Sequence, residues 1–119
     1  MAKVLGIIGL CCLVAPMSAM AKDTHSANYL LEGCRVVANG GTPTNGLMFQ
    51  ATMCMGELQA IKFFASSINS SLRACPPREA DVFQVAKVVV AYLDKNPARL
   101  HDVFLGLAYT AVAEAWPCN

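Results

Sequence analysis

Four cysteines, Cys34, Cys54, Cys75 and Cys118, constrain this chain more than any other feature. They follow an apolar N-terminal stretch that reads as an export signal, and each falls at or near the end of a segment with helical periodicity. Cysteines of an exported small domain pair into disulfides. The expected architecture is therefore all-α, a small disulfide-stapled four-helix bundle. A chain of 119 residues has room for one modest core. Each bridge adds about 2–4 kcal/mol at this size.

The export reading rests on residues 1–21. Lys3 supplies a positive start, residues 4–14 form an apolar run, and Ala19-Met20-Ala21 is a small-x-small cleavage site before polar Lys22-Asp23. The run is too short to anchor in a bilayer. A core helix is the alternative, but the flanks are wrong for one. Cys11 and Cys12 belong to the apolar run, since Leu10 precedes Cys11 where lipidation wants a small residue. Cleavage leaves residues 22–119 as one helical domain, directed to the periplasm. Without Lys3, basic and acidic residues balance, and no basic patch exists to hold nucleic acid. No second run of about 18 apolar residues predicts stable membrane association.

Four helices follow from the patterning. Residues 24–38 place Ala27, Leu30, Leu31, Cys34 and Val37 on one face, with Asp23, Thr24 and Ser26 as possible caps. The breaker-rich run 39–46 ends that helix. Residues 47–70 carry the stripe Leu47, Ala51, Cys54, Leu58, Ile61, Ala65 and Ile68, widened by Met48, Met55, Phe63 and Phe64. After Cys75-Pro76-Pro77, residues 78–94 bury Val82, Val85, Ala86, Val89 and Leu93. Asn96 and Pro97 have the chemistry of a cap and first helical position, so a fourth helix is expected from there. It carries Leu100, Val103, Phe104, Leu107, Ala108, Ala111, Val112 and Ala115. A second line, Leu105, Tyr109 and Trp116, makes this helix apolar on more than one face, which suits a central position or a homodimer contact.

Four cysteines allow three pairings, and their spacing does not choose among them. In an up-down bundle, the end of helix 1 lies beside the start of helix 2, and the start of helix 3 beside the end of helix 4. That favours Cys34–Cys54 and Cys75–Cys118. A four-cysteine zinc site is the weaker reading, because no two cysteines have zinc-knuckle spacing.

Nothing in the sequence assembles a catalytic constellation or a metal set. His-Glu-x-x-His, Gly-x-Ser-x-Gly and phosphate-binding glycine loops are absent. His101-Asp102 is expected on a helix, where adjacent side chains diverge by about 100°. Glu32, Glu57, Glu79, Asp81 and Glu114 read as solvated helix faces.

The cysteines and their neighbours resemble a family. Cys54-Met55-Gly56 stands early in helix 2, Cys75-Pro76 follows, residues 88–93 lead into Asp94-Lys95-Asn96-Pro97, and the chain closes on Glu114-Ala115-Trp116-Pro117-Cys118. Over residues 27–118 this ordered set resembles the Rap/Tai immunity family, periplasmic proteins that neutralise peptidoglycan amidase toxins delivered by type VI secretion. The resemblance implies an all-helical disulfide-bonded fold, often a homodimer, that occludes a peptidoglycan amidase effector without catalysis or cofactor. Where the family often has an aromatic in a Cys-x-Gly-Tyr pattern, Glu57 follows Gly56. The candidate contact segments are the turn at Lys95 and Asn96 and the loop carrying Thr42 and Asn45. A small periplasmic acid-stress chaperone-like protein is the alternative function. A helical carrier of an apolar ligand is a third.

Overall fold

Ser26 decides where the first helix begins. Its backbone is extended, and its hydroxyl accepts from the Tyr29 amide at 3.4 Å and donates to the Asp23 carbonyl at 3.1 Å. A computed structural model describes residues 23–119. The expected signal segment, 1–21, lies outside them. Helix α1 spans Ala27–Ala38, α2 Met48–Phe64, α3 Val82–Lys95 and α4 Phe104–Ala115, with a 3-10 turn at Pro97–Arg99. No strand of more than an isolated bridge occurs among the described residues. α1 packs chiefly on α2 and α3, and α4 closes against α3.

The end of α1 is set by glycine. Gly40 takes φ +62°, the left-handed conformation that an L side chain resists. Its amide donates to Val37 O and the Gly41 amide to Val36 O, both at 3.0 Å, which is the Schellman arrangement.

The two disulfides are Cys34–Cys54, with Cα atoms 5.5 Å apart, and Cys75–Cys118, at 5.0 Å. The first lies inside the core with both cysteines fully buried, and the second ties the two ends of the 75–118 segment nearer the surface. Beside it the Cys75 amide donates to Trp116 O at 2.8 Å. The core buries most of the expected stripes of helices 1 to 3, with Leu47, Ile68 and Val82 only partly covered. Leu30, Leu58, Ile61, Val85, Val89, Leu93, Phe104 and Leu107 are its largest members.

Four boundaries differ from the sequence reading, the first being α1, which begins at Ala27 and not at residue 24 because Ser26 caps it. α2 ends at Phe64, because Ser66, Ser67, Asn69, Ser70 and Ser71 compete for the backbone. Ser70 Oγ accepts from the Leu72 amide, and Ser66 O accepts from Arg73 Nε. α3 begins at Val82, where Asp81 Oδ1 accepts from the Gln84 amide at 2.7 Å. The fourth helix begins seven residues after Pro97, at Phe104. The intervening carbonyls serve α1 instead. Asp102 O accepts from the Ala27 amide at 3.0 Å and Leu100 O from the Asn28 amide at 2.7 Å, satisfying donors that a helix start leaves unpaired. Val103, expected in the core, is consequently exposed, and it pairs its backbone with Ser26. Asn96 does not cap a helix start. Its side-chain amide donates to Tyr92 O at 2.8 Å and closes α3.

Candidate functional site

A groove of about 340 Å³ opens where α1 ends. Val36 and Val37 form its floor, Gly41 and Pro43 its rim, Thr52, Met55 and Gly56 its α2 wall, and Phe83 of α3 its far edge. None of its lining side chains is ionisable. Such a groove receives an apolar side chain, not a charged ligand. The Schellman turn positions the rim, so Thr42 and Asn45 stand exposed on the loop that borders the groove.

The other expected contact segment does not join this groove. Lys95 is exposed at the end of α3, and no residue of its turn lines the groove. The chain after it hydrogen-bonds the N-terminal end of α1, whereas the loop leaves the C-terminal end. An α-helix of this length separates its ends by roughly 18 Å. Nearby, Arg35 makes a forked contact to Asp94, at 2.9 and 2.6 Å, and a third to Glu32 at 3.1 Å. The guanidinium holds the Asp94 carboxyl below the usual carboxylate range.

A second, more polar cleft of about 300 Å³ lies between the start of α1 and the start of α2. Asp23, Ser26, Asn28, Tyr29, Glu32, Leu47 and Gln50 line it. Gln50 Oε1 is buried without a hydrogen bond, and so is Glu57 Oε2 further along α2. Glu57 was expected on a solvated face. It is half-buried, and burial pushes its carboxyl up while the charge of nearby His25 opposes that shift. The signal was available in spacing, since Glu57 stands one turn from both Cys54 and Ile61, each fully buried.

The exposed apolar surface is not where the sequence placed it. On α4, Tyr109 and Trp116 pack against the core, leaving Leu105 and the preceding Val103 exposed. The larger concentration is on α2: Met48, Phe49, Phe63 and Phe64. Phe63 is 76% exposed, with its ring edge-on to Phe64 at 4.9 Å.

His101 and Asp102 do meet, with Nε2 3.3 Å from Oδ1, because they sit in a turn and not on a helix. The same carboxylate also accepts from Arg99 Nε at 3.1 Å, and His101 stands in the open. Among the described residues, no group of three or more His, Cys, Asp or Glu side chains converges to hold a metal. No described helix is long and apolar enough to cross a membrane.

A model of the family described as Rap1a immunity proteins matches residues 26–118. No curated protein and no solved structure matches the chain.

Proposed function

The chain belongs to the Rap1a immunity protein family, and from that premise we propose that it is a periplasmic immunity protein that binds and occludes a type VI secreted peptidoglycan amidase effector. The match over residues 26–118 carries the reading, since it spans all four helices and both disulfides. Two bridges in so short a chain fit an oxidising compartment. They also stiffen the scaffold, so less ordering entropy is lost when it docks. Cleavage of residues 1–21 is the proposed route of export, leaving 22–119 as the working domain.

The proposed contacts are Thr42 and Asn45, standing beside an apolar groove ready for a partner's side chain, and Lys95. Asn96 holds the Lys95 turn through its bond to Tyr92. The protein is further proposed to work as a homodimer. Co-expression tests the reading: cells exporting this chain survive a periplasmic amidase toxin encoded beside its gene, and the purified pair forms a complex. Lysis despite export, with no complex in vitro, rejects immunity. Client protection at low pH would then favour the acid-stress alternative.

A further inference from the structure

The polar cleft between the starts of α1 and α2 holds a buried acceptor with nothing to accept from. Gln50 lines the cleft, and its Oε1 is buried without a hydrogen bond. A buried oxygen left unpaired costs stability, and a site that keeps one is prepared for a donor. The two charged residues of the cleft, Asp23 and Glu32, are both acidic. Each engages one carboxylate oxygen, Asp23 Oδ1 with the His25 amide at 3.0 Å and Glu32 Oε1 with Arg35 Nε at 3.1 Å, so each keeps a second oxygen to accept with. Arg35 does not neutralise this region, because Asp94 holds both of its terminal nitrogens. Three carboxylates are thus set against one guanidinium. Tyr29, its ring 6.5 Å from that of Phe49, adds an aromatic wall. A guanidinium suits this set better than an ammonium. Its planar fork donates to carboxylates and to an amide oxygen together, and its face stacks on a ring.

The position of the cleft gives the donor a source. Gly33, where α1 meets the backbone of α2, separates the cleft from the apolar groove. On α1, Tyr29 and Glu32 before it line the cleft, whereas Val36 and Val37 after it line the groove. The 39–46 loop joins the two, with Gly41 and Pro43 on the groove and Leu47, the next residue after the loop, in the cleft. A partner seated on Thr42 and Asn45 therefore has an apolar cavity to one side and an acidic one to the other. We propose, resting on the immunity reading above, that the cleft receives an arginine side chain of the effector while the groove takes an apolar one. The cleft supplies discrimination that the groove lacks. An apolar or acidic residue brought to it would desolvate Asp23, Glu32 and Gln50 without donating to them.

Two measurements test this. In an NMR titration of the mature chain, N-acetyl-arginine amide shifts the Gln50 side-chain amide signals, and N-acetyl-glutamine amide at the same concentration does not. Equal behaviour of the two probes overturns the inference. In calorimetric titration with the amidase toxin encoded beside the gene, the double variant Asp23→Asn, Glu32→Gln binds at least about 10-fold more weakly than wild type. It also loses most of the fall in affinity that added salt causes in wild type. Gln50→Met removes the unpaired oxygen at similar length, so it melts higher than wild type yet binds the toxin at least about 5-fold more weakly. A residue with a structural role alone would not show that split. Glu79→Gln and Glu114→Gln, exposed and outside both cavities, bind as wild type does. Circular dichroism verifies that every variant is folded. Wild-type affinity in both the double variant and Gln50→Met overturns the inference and leaves immunity, read separately as survival of toxin, untouched. Absence of a complex with wild type overturns the immunity reading and the effector's arginine with it.

Discussion

Gly33 of α1 meets the backbone of Gln50 on α2 so closely that a Cβ at Gly33 would lie 2.4 Å from the Gln50 carbonyl carbon. The next residue along, Cys34, is bridged to Cys54, so the two helices are fixed at their point of closest approach. Backbone atoms cannot swing aside as a side-chain tip can.

Gly33→Ala is therefore expected to destabilise the fold by about 2–4 kcal/mol through overpacking. Gly106→Ala is the control: it lies within α4, and a Cβ there meets nothing within 4 Å. That change should stabilise by about 0.5–1 kcal/mol, the helix preference of alanine over glycine. Urea denaturation of the two variants gives opposite shifts in midpoint.

The bridges should differ in accessibility. Cys75 is exposed, whereas Cys34 and Cys54 are fully buried. Mild thiol reductant should open Cys75–Cys118 first, as followed by alkylation and peptide mapping. Replacing each pair by alanine should cost about 3 kcal/mol for Cys34–Cys54 and about 4 for Cys75–Cys118 in chain entropy, given separations of 20 and 43 residues. Equal loss of both bridges at the earliest times of reduction would contradict the ordering.

Glu57 and Asp94 should move stability in opposite directions with pH. Burial raises the Glu57 carboxyl, so the folded state binds its proton more tightly than the unfolded one. Its favourable contribution is complete below the ordinary glutamate value of about 4.3 and is lost as pH rises through the raised one. Glu57→Gln should thus be more stable than wild type at pH 7, by under about 1 kcal/mol since solvent still screens this half-buried carboxyl, with the gain gone near pH 4. Asp94 is lowered by the Arg35 hydrogen bonds, so its contribution is present above about pH 3.9 and lost as pH falls below that. Arg35→Gln should remove it, at under about 1 kcal/mol because both partners are exposed. Thermal melts across pH 3–8 separate the two.

At the proposed effector contacts, Thr42→Arg, Asn45→Arg and Lys95→Glu should each weaken effector binding at least about 10-fold if their side chains meet the partner. Melting should stay within about 0.5 kcal/mol of wild type, as for exposed positions generally. Asn96→Ala should behave differently, losing about 1 kcal/mol of stability with its bond to Tyr92. Calorimetric titration beside thermal melting reports both quantities. Unchanged affinity in all three contact variants would make the loop and turn connectors only.

Much of the fold was legible because it is written in local pattern. The stripes through Leu30, Leu58 and Val89 follow helical period, and burial follows the stripe. The cysteine pairing followed from which helix ends a bundle brings together. Of the candidate contacts, the loop with Thr42 and Asn45 was visible as a dense run of breakers. The groove beside it was not, since Val36, Met55 and Phe83 come from three helices.

The sequence by itself determined the helical class, most core residues of α1, α2 and α3, and the stop after α1, because periodicity and backbone preference act over a few residues; it offered Asp23, Thr24 and Ser26 alike as caps, and the fold selected Ser26. Tertiary structure decided the rest. Asn96 and Pro97 have the chemistry of a helix start, yet α4 waits until Phe104 because the carbonyls of Leu100 and Asp102 are bonded to the first turn of α1. α4 shows surplus apolar residues, yet Tyr109 and Trp116 find cover and Phe49 and Phe63 on α2 do not. Local pattern records which groups gain from burial or pairing. Which of them obtain it depends on neighbours that are distant in the chain, and only the packed fold brings those neighbours into contact.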